Sequence, residues 1–198
     1  MQKDFRAGVI VLFLAGLPGD LLALPPEPAQ QFQQELQALQ KRVVALQGNE
    51  QIDRRLLADV AVCAKAVEWS LRHDEFYPAG DKSKPSPWVG YARRALELGR
   101  KRAEELAAGK PSWVLKPGTT IRGYYSRVDG SVQPYAVSLP TGIKPRSGTR
   151  WPLQLKLHGR GATLNELRFI NQHEGKALPK GQDWIQLDVF GRTNNAYR

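Results

Sequence analysis

Apolar positions along the chain change their spacing, and each change marks a boundary. In "QQFQQELQALQKRVVALQ" the apolar residues Phe32, Leu36, Leu39, Val43 and Leu46 recur at alternating steps of four and three. That spacing predicts a helix with a heptad seam, about two heptads long, ended by Gly48-Asn49. A second face runs through Ile52, Leu56, Val60, Cys63, Val67 and Leu71, widened by Leu57 and Trp69, with Asp53 near the helix start. Pro78-Ala79-Gly80 closes it. A third helix is expected after Ser86 as N-cap and Pro87 in the first position. Its stripe is Trp88, Ala92, Ala95, Leu96, Gly99, Ala103 and Leu106, with Gly109 at its end.

Past Gly109 the period shortens to that of strands. "TIRGYYSRV" and "SVQPYAVSL" flank Asp129-Gly130, a hairpin signal. Pro134 requires a free edge or a bulge on the second strand. "PLQLKLH" alternates Leu153, Leu155 and Leu157 with polar residues. "TLNELRFINQ" then reads as a short helix, with Thr163 as N-cap and Glu166 three residues on. "DWIQLDVF" is a further strand. Two antiparallel strands followed by strand, helix and strand are how an α/β sheet begins. The expected order is therefore residues 1–23 as a leader, 24–110 as a helical layer opening on the proline-rich linker "LPPEPA", and 111–198 as the first strands of an α/β sheet.

The leader reading rests on "MQKDFRAGVIVLFLAGLPGDLLA". Lys3 and Arg6 precede an apolar run from Ala7 to Leu17, and a small residue follows at Ala23. This is the layout of a secretory signal peptide cleaved after Ala23 or Gly19. The run is about half of the roughly 20 residues that span a bilayer as a helix, so no stable membrane span is expected. An uncleaved anchor is the alternative. The chain is accordingly expected to be secreted or periplasmic. Its single cysteine, Cys63, forms no disulfide within the chain and reads as a small core residue.

Charge sharpens the division. The 198 residues carry a net +10. Residues 110–198 hold 14 basic against 5 acidic residues, a surplus of nine, whereas 24–109 are nearly balanced. The basic residues are scattered singly, not clustered on a helix or interleaved with stacking aromatics, so nucleic acid is not an expected partner. Three histidines and one cysteine, without paired ligand spacing, supply no metal site. "GRGATLNE" lacks the glycine spacing and lysine of a phosphate loop or dinucleotide fingerprint, so no cofactor is expected.

The chemistry concentrates in "WPLQLKLHGRG". Ligands of open α/β sheets bind at the carboxyl ends of strands, and His158-Gly159-Arg160-Gly161 lies at such an end, before a helix. Glycines there permit a sharp turn and a close approach of backbone N–H groups. Converging N–H groups form an oxyanion hole for acyl transfer. A plain strand-ending turn accounts for the same four residues.

Taken in order, "YYSRVDGSVQPYAVSLP", "PLQLKLHGRG" and "DWIQLDVFGRTNNAYR" resemble the opening of an α/β-hydrolase esterase domain. They are similar to exported bacterial proteins classed with the prolyl oligopeptidase-like serine hydrolases. The helical stretch "LLADVAV…AVEWSLRHDEFY" also resembles the N-terminal extension of that group, so the likeness covers roughly residues 50–198. It implies an oxyanion turn at His158, Gly159, Arg160 and Gly161, with the N–H of Arg160, joined by Gly161, as donor and His158 shaping the turn. It places Asn195 and Tyr197 on a neighbouring strand-end loop near a small ester or peptide substrate, although a plain polar loop explains them equally.

The sequence departs from that family at its centre. The nucleophile elbow Gly-x-Ser-x-Gly occurs nowhere in these residues, and all eight serines precede the turn. Beyond Gly161 the one histidine is His173, read as an exposed helix-end residue. Asp183 and Asp188 have no nucleophile or base with which to form a triad. The expectation is therefore a truncated serine hydrolase, an N-terminal fragment of a longer gene or a degraded copy of one, inactive by itself, whose central strands lack their neighbours. The competing expectation is a non-enzymatic exported binding module, associating through the heptad seam and contacting anionic polymers through its basic half.

Overall fold

The computed structural model describes residues 26–77, 86–143, 148, 150–159, 161 and 163–191. The leader, Arg160, Asn195 and Tyr197 lie outside them. Among the described residues, no helix is long and apolar enough to cross a membrane.

Three helices come first: α1 (Pro26–Gln47), α2 (Arg54–Arg72) and α3 (Pro87–Ala107). The proline-rich stretch is not a linker throughout, because α1 begins at Pro26. Proline is tolerated in a first helical turn, where its missing N–H would have no intrahelical partner. The caps of the next two helices sit where the sequence puts them. Asp53 accepts from the Arg55 N–H at 2.8 Å, and Ser86 Oγ accepts from the Trp88 N–H at 3.3 Å. Gly109, just past α3, takes φ of 68°, a left-handed conformation that glycine adopts without a Cβ clash.

The heptad seam is spent inside the molecule. Phe32, Leu36, Leu39 and Leu46 are buried in the same core cluster as the apolar faces of α2 and α3. Each such side chain contributes roughly 1.5–3 kcal/mol when fully buried. The three helices meet at Gly99, where a Cβ would lie 2.6 Å from Leu39 Cδ2 and 3.0 Å from Cys63 Cβ. Cys63 is fully buried as expected, whereas Trp69 is 44% exposed and does not extend the buried face of α2.

Strands β1 (Gly118–Tyr125), β2 (Val132–Leu139), β3 (Leu153–Leu157) and β4 (Ile185–Val189) form one mixed sheet of order β1-β2-β4-β3, with α4 (Glu166–His173) between β3 and β4. The β1–β2 and β2–β4 pairs are antiparallel, and β3–β4 is parallel. Pairing of β4 with β2 stops at Tyr135↔Val189, so Pro134 sits beyond the end of that ladder, as a residue without an N–H must. The N-cap of α4 is Asn165, whose Oδ1 accepts from the Arg168 N–H, and not Thr163. Asn165 prevails because its amide also donates to Ser70 Oγ and to Glu75, which fixes it against α2.

Helices and sheet are joined along the outer edge of β1. The Asp59 carboxylate, from α2, accepts from the Gly123 N–H at 2.7 Å and from Arg122 Nε at 2.7 Å. It also accepts from Trp113 Nε1 at 2.9 Å. Arg102, from α3, is 1% exposed and donates to the Ile121 carbonyl at 2.8 Å and to Glu174 at 3.0 Å. Glu174 accepts the Ile121 N–H at 2.7 Å. An otherwise open strand edge is thus closed by charged side chains.

The opposite edge is open. All five residues of β3 are exposed, with Leu153 and Leu155 each at 63%. The cross-sheet row Thr120, Val137, Leu187, Leu155 passes from buried at β1 to exposed at β3. The fold is therefore a helical layer followed by a small mixed α/β sheet, covered and edged on the β1 side only.

Candidate functional site

Parallel pairing of β3 with β4 ends at Leu157↔Val189, so the residues that follow each strand emerge side by side. His158 bridges them. Its Nε2 lies 2.5 Å from the Phe190 carbonyl oxygen and its Nδ1 lies 2.7 Å from that of Gly159. A neutral imidazole donates from only one nitrogen, and in either tautomer the ring fastens one strand end. The imidazole also stands 6.1 Å from the Phe190 ring, centroid to centroid. With the proton on Nε2 the ring ties the β3 exit to the β4 exit, and with it on Nδ1 the ring closes on the Gly159 carbonyl.

The glycines do not act through left-handed backbone, since neither Gly159 nor Gly161 takes a positive φ. A Cβ on Gly159 would meet open space, and one on Gly161 would come within 3.2 Å of Leu164 Cβ. The Gly161 carbonyl accepts from the Leu164 N–H at 3.0 Å, closing the turn toward α4. The remaining sequence candidates, Arg160, Asn195 and Tyr197, lie outside the described residues.

A cavity of about 370 Å³ opens beside the turn, lined among others by Lys156, His158, Phe169, His173, Lys176 and Asp188. The sequence reading left His173 exposed and Asp188 unused, but the fold brings them together. Lys156 and His158 alternate on the side of the sheet that faces the end of α4. His173 is half-buried, because its ring packs on Phe169 at 4.3 Å, its Nδ1 faces the Phe169 carbonyl at 2.8 Å and its Nε2 lies 3.7 Å from Asp188 Oδ1. Asp188 is 5% exposed. Burial works against its ionisation, yet the Gln186 hydrogen bond, the neighbouring His173 ring and the Lys156 charge outweigh it. Its carboxyl is held below the ordinary 3.8. The lysine contacts it at 3.6 Å.

No described serine is available beside the turn. Ser138 Oγ shares a 2.8 Å hydrogen bond with Thr119, and Ser70 accepts from Asn165. Ser86 caps α3, Ser112 donates to Glu105, Ser126 accepts from the Val128 N–H, and Ser131 donates to Asp129. Burial pushes the Cys63 thiol up to about 12, so it is no nucleophile either. Among the described residues, no group of three or more His, Cys, Asp or Glu could hold a metal ion. Comparison with protein-family models, with curated proteins and with solved structures finds no match.

The sequence reading missed the His173–Asp188 pair and the Asp59–Arg102–Glu174 cluster. An acid inside the greasy run "LLADVAVC" was the available signal for Asp59, since an acid there must be paired when buried. Nothing local signals His173–Asp188, because its partners come from different elements.

Proposed function

We propose that these residues are the N-terminal, oxyanion-turn portion of a serine hydrolase of the α/β-hydrolase class, acting on a small ester or peptide. The observation that carries the reading is the position of His158-Gly159 and Gly161 between the third strand and the helix after it. In that fold one oxyanion donor comes from the loop between the third strand and the next helix. Amides of the turn would hold the developing oxyanion of a tetrahedral intermediate, each worth about 3–4 kcal/mol of transition-state stabilisation. His158 would fix the turn by its two carbonyl contacts and take no part as triad base. The nucleophile, acid and base would come from residues outside these 198, because their pattern is absent from this sequence. Secretion through the leader belongs to the same reading.

Burial of Phe32, Leu36, Leu39 and Leu46 within the helical layer removes the seam as a means of association. That favours the hydrolase portion over an exported binding module. Two measurements test it. A fluorophosphonate probe is expected to leave the 198-residue chain unlabelled, and stoichiometric labelling would show a competent serine within it. Reading the coding sequence beyond codon 198 is expected to give an open frame that reaches Gly-x-Ser-x-Gly. A stop codon directly after codon 198 would sink the reading.

A further inference from the structure

The geometry points to a binding site for a small organic carboxylate in the cavity between the end of α4 and the C-terminal ends of β3 and β4. The argument is a count of donors and acceptors along its lining. The one carboxylate there, Asp188, is already engaged: Oδ2 accepts from Gln186 Nε2 at 2.7 Å, and Oδ1 faces His173 at 3.7 Å and Lys156 at 3.6 Å. Both nitrogens of His158 face backbone carbonyls, and His173 divides its two between Phe169 and Asp188. Apart from the Gln172 amide, which can both accept and donate, the acceptors of the lining are thereby engaged. The charged groups that remain for a ligand are donors, the ammonium groups of Lys156 and Lys176. The Lys156 side chain is 64% exposed, and an ammonium carries three N–H groups, so its contact with Asp188 leaves others free.

A ligand that matches this lining brings acceptors and negative charge. It also brings an apolar part, because Phe169 and Val189 contribute apolar surface. The volume of about 370 Å³ falls at the small end of organic-ligand pockets, roughly 300–1,000 Å³. It is far larger than one bare anion fills. Two lysines against one aspartate leave the lining positive, and the surplus of nine basic residues over 110–198 reinforces that sign. The site goes beyond the hydrolase proposal and needs no nucleophile, so either can fail without the other.

The test titrates the intact 198-residue chain with benzoate, with benzamide as its uncharged isostere and with acetate as the carboxylate lacking an apolar part. Amide and imidazole NMR shifts provide the readout. Benzoate is expected to move signals of Lys156, His173 and Val189, and to bind at least about tenfold more tightly than benzamide or acetate, the equivalent of one charge-assisted hydrogen bond. Lys156→Gln and Lys176→Gln are expected to weaken benzoate severalfold each and to leave benzamide unchanged. Both side chains are at the surface, so thermal unfolding should shift only slightly, by the loss of the Lys156–Asp188 contact in one variant, and verifies the fold. Equal binding of benzoate and benzamide, or benzoate shifts confined to other residues, overturns the proposal. So does benzoate affinity indifferent to both substitutions, or no saturable binding at all.

Discussion

Gly123 has no side chain because α2 occupies the space where one would be. A Cβ there would stand 2.1 Å from the Ala58 carbonyl oxygen and 2.6 Å from its carbon, both backbone atoms that cannot swing aside. Gly123→Ala is therefore expected to lower stability by about 3 kcal/mol or more, at the upper end of overpacking costs, measured by urea unfolding. A loss under 1 kcal/mol would mean that α2 does not seat against β1 in this way. The close approach also brings Asp59 to the Gly123 amide. The sequence marks Asp59 as an acid inside an apolar run, but nothing in it marks Gly123 as its partner. Their relation spans 64 positions, which no local pattern encodes. Cys63 was legible for the opposite reason, since a small apolar residue on an apolar stripe needs no distant partner to explain it.

At the scale of elements, α4 meets β4 where His173 stands 3.7 Å from Asp188, and the Asp188 carboxyl titrates. The Gln186 hydrogen bond, the His173 ring and the Lys156 charge outweigh burial and hold the Asp188 carboxyl below its ordinary 3.8. The folded state thus favours the ionised form. The resulting stability is present above 3.8 and is lost as pH falls through the lower folded value. The urea midpoint of the native chain should drop on going from about pH 5 to about pH 3. Asp188→Asn should show a smaller drop, and parallel curves for the two proteins would discount Asp188 as its source. Helices were read well where a cap signal was local, as at Asp53 and Ser86. They were read less well at both ends of the alphabet of exceptions: α1 starts on a proline that looks like linker, and α4 is capped by Asn165, not Thr163. The Asn165 amide wins by reaching Ser70 and Glu75, contacts that exist only after α2 is in place.

For the whole molecule the decisive feature is asymmetry. The β1 edge is sealed by Asp59, Arg102 and Glu174, while β3 presents an open edge with alternating leucines. Exposed apolar edges of this kind template strand pairing between chains. Leu155→Lys, at a position 63% exposed, is expected to reduce concentration-dependent self-association in light scattering. It should change unfolding stability by no more than about 0.5 kcal/mol, as is usual for surface positions. Unchanged association would place the sticky surface elsewhere. The sequence by itself determined which segments are helix and strand, where the helical layer gives way to the sheet, and that a His-Gly turn ends a strand before a helix. Each follows from the period of apolar residues and from caps within a few positions. Only the tertiary structure decided that the heptad seam is internal, that β4 inserts between β2 and β3, that charged side chains close one sheet edge, and that His158, His173 and Asp188 share a cavity. Those outcomes depend on pairings between residues far apart in the chain, whose free energy is gained only when separate elements meet.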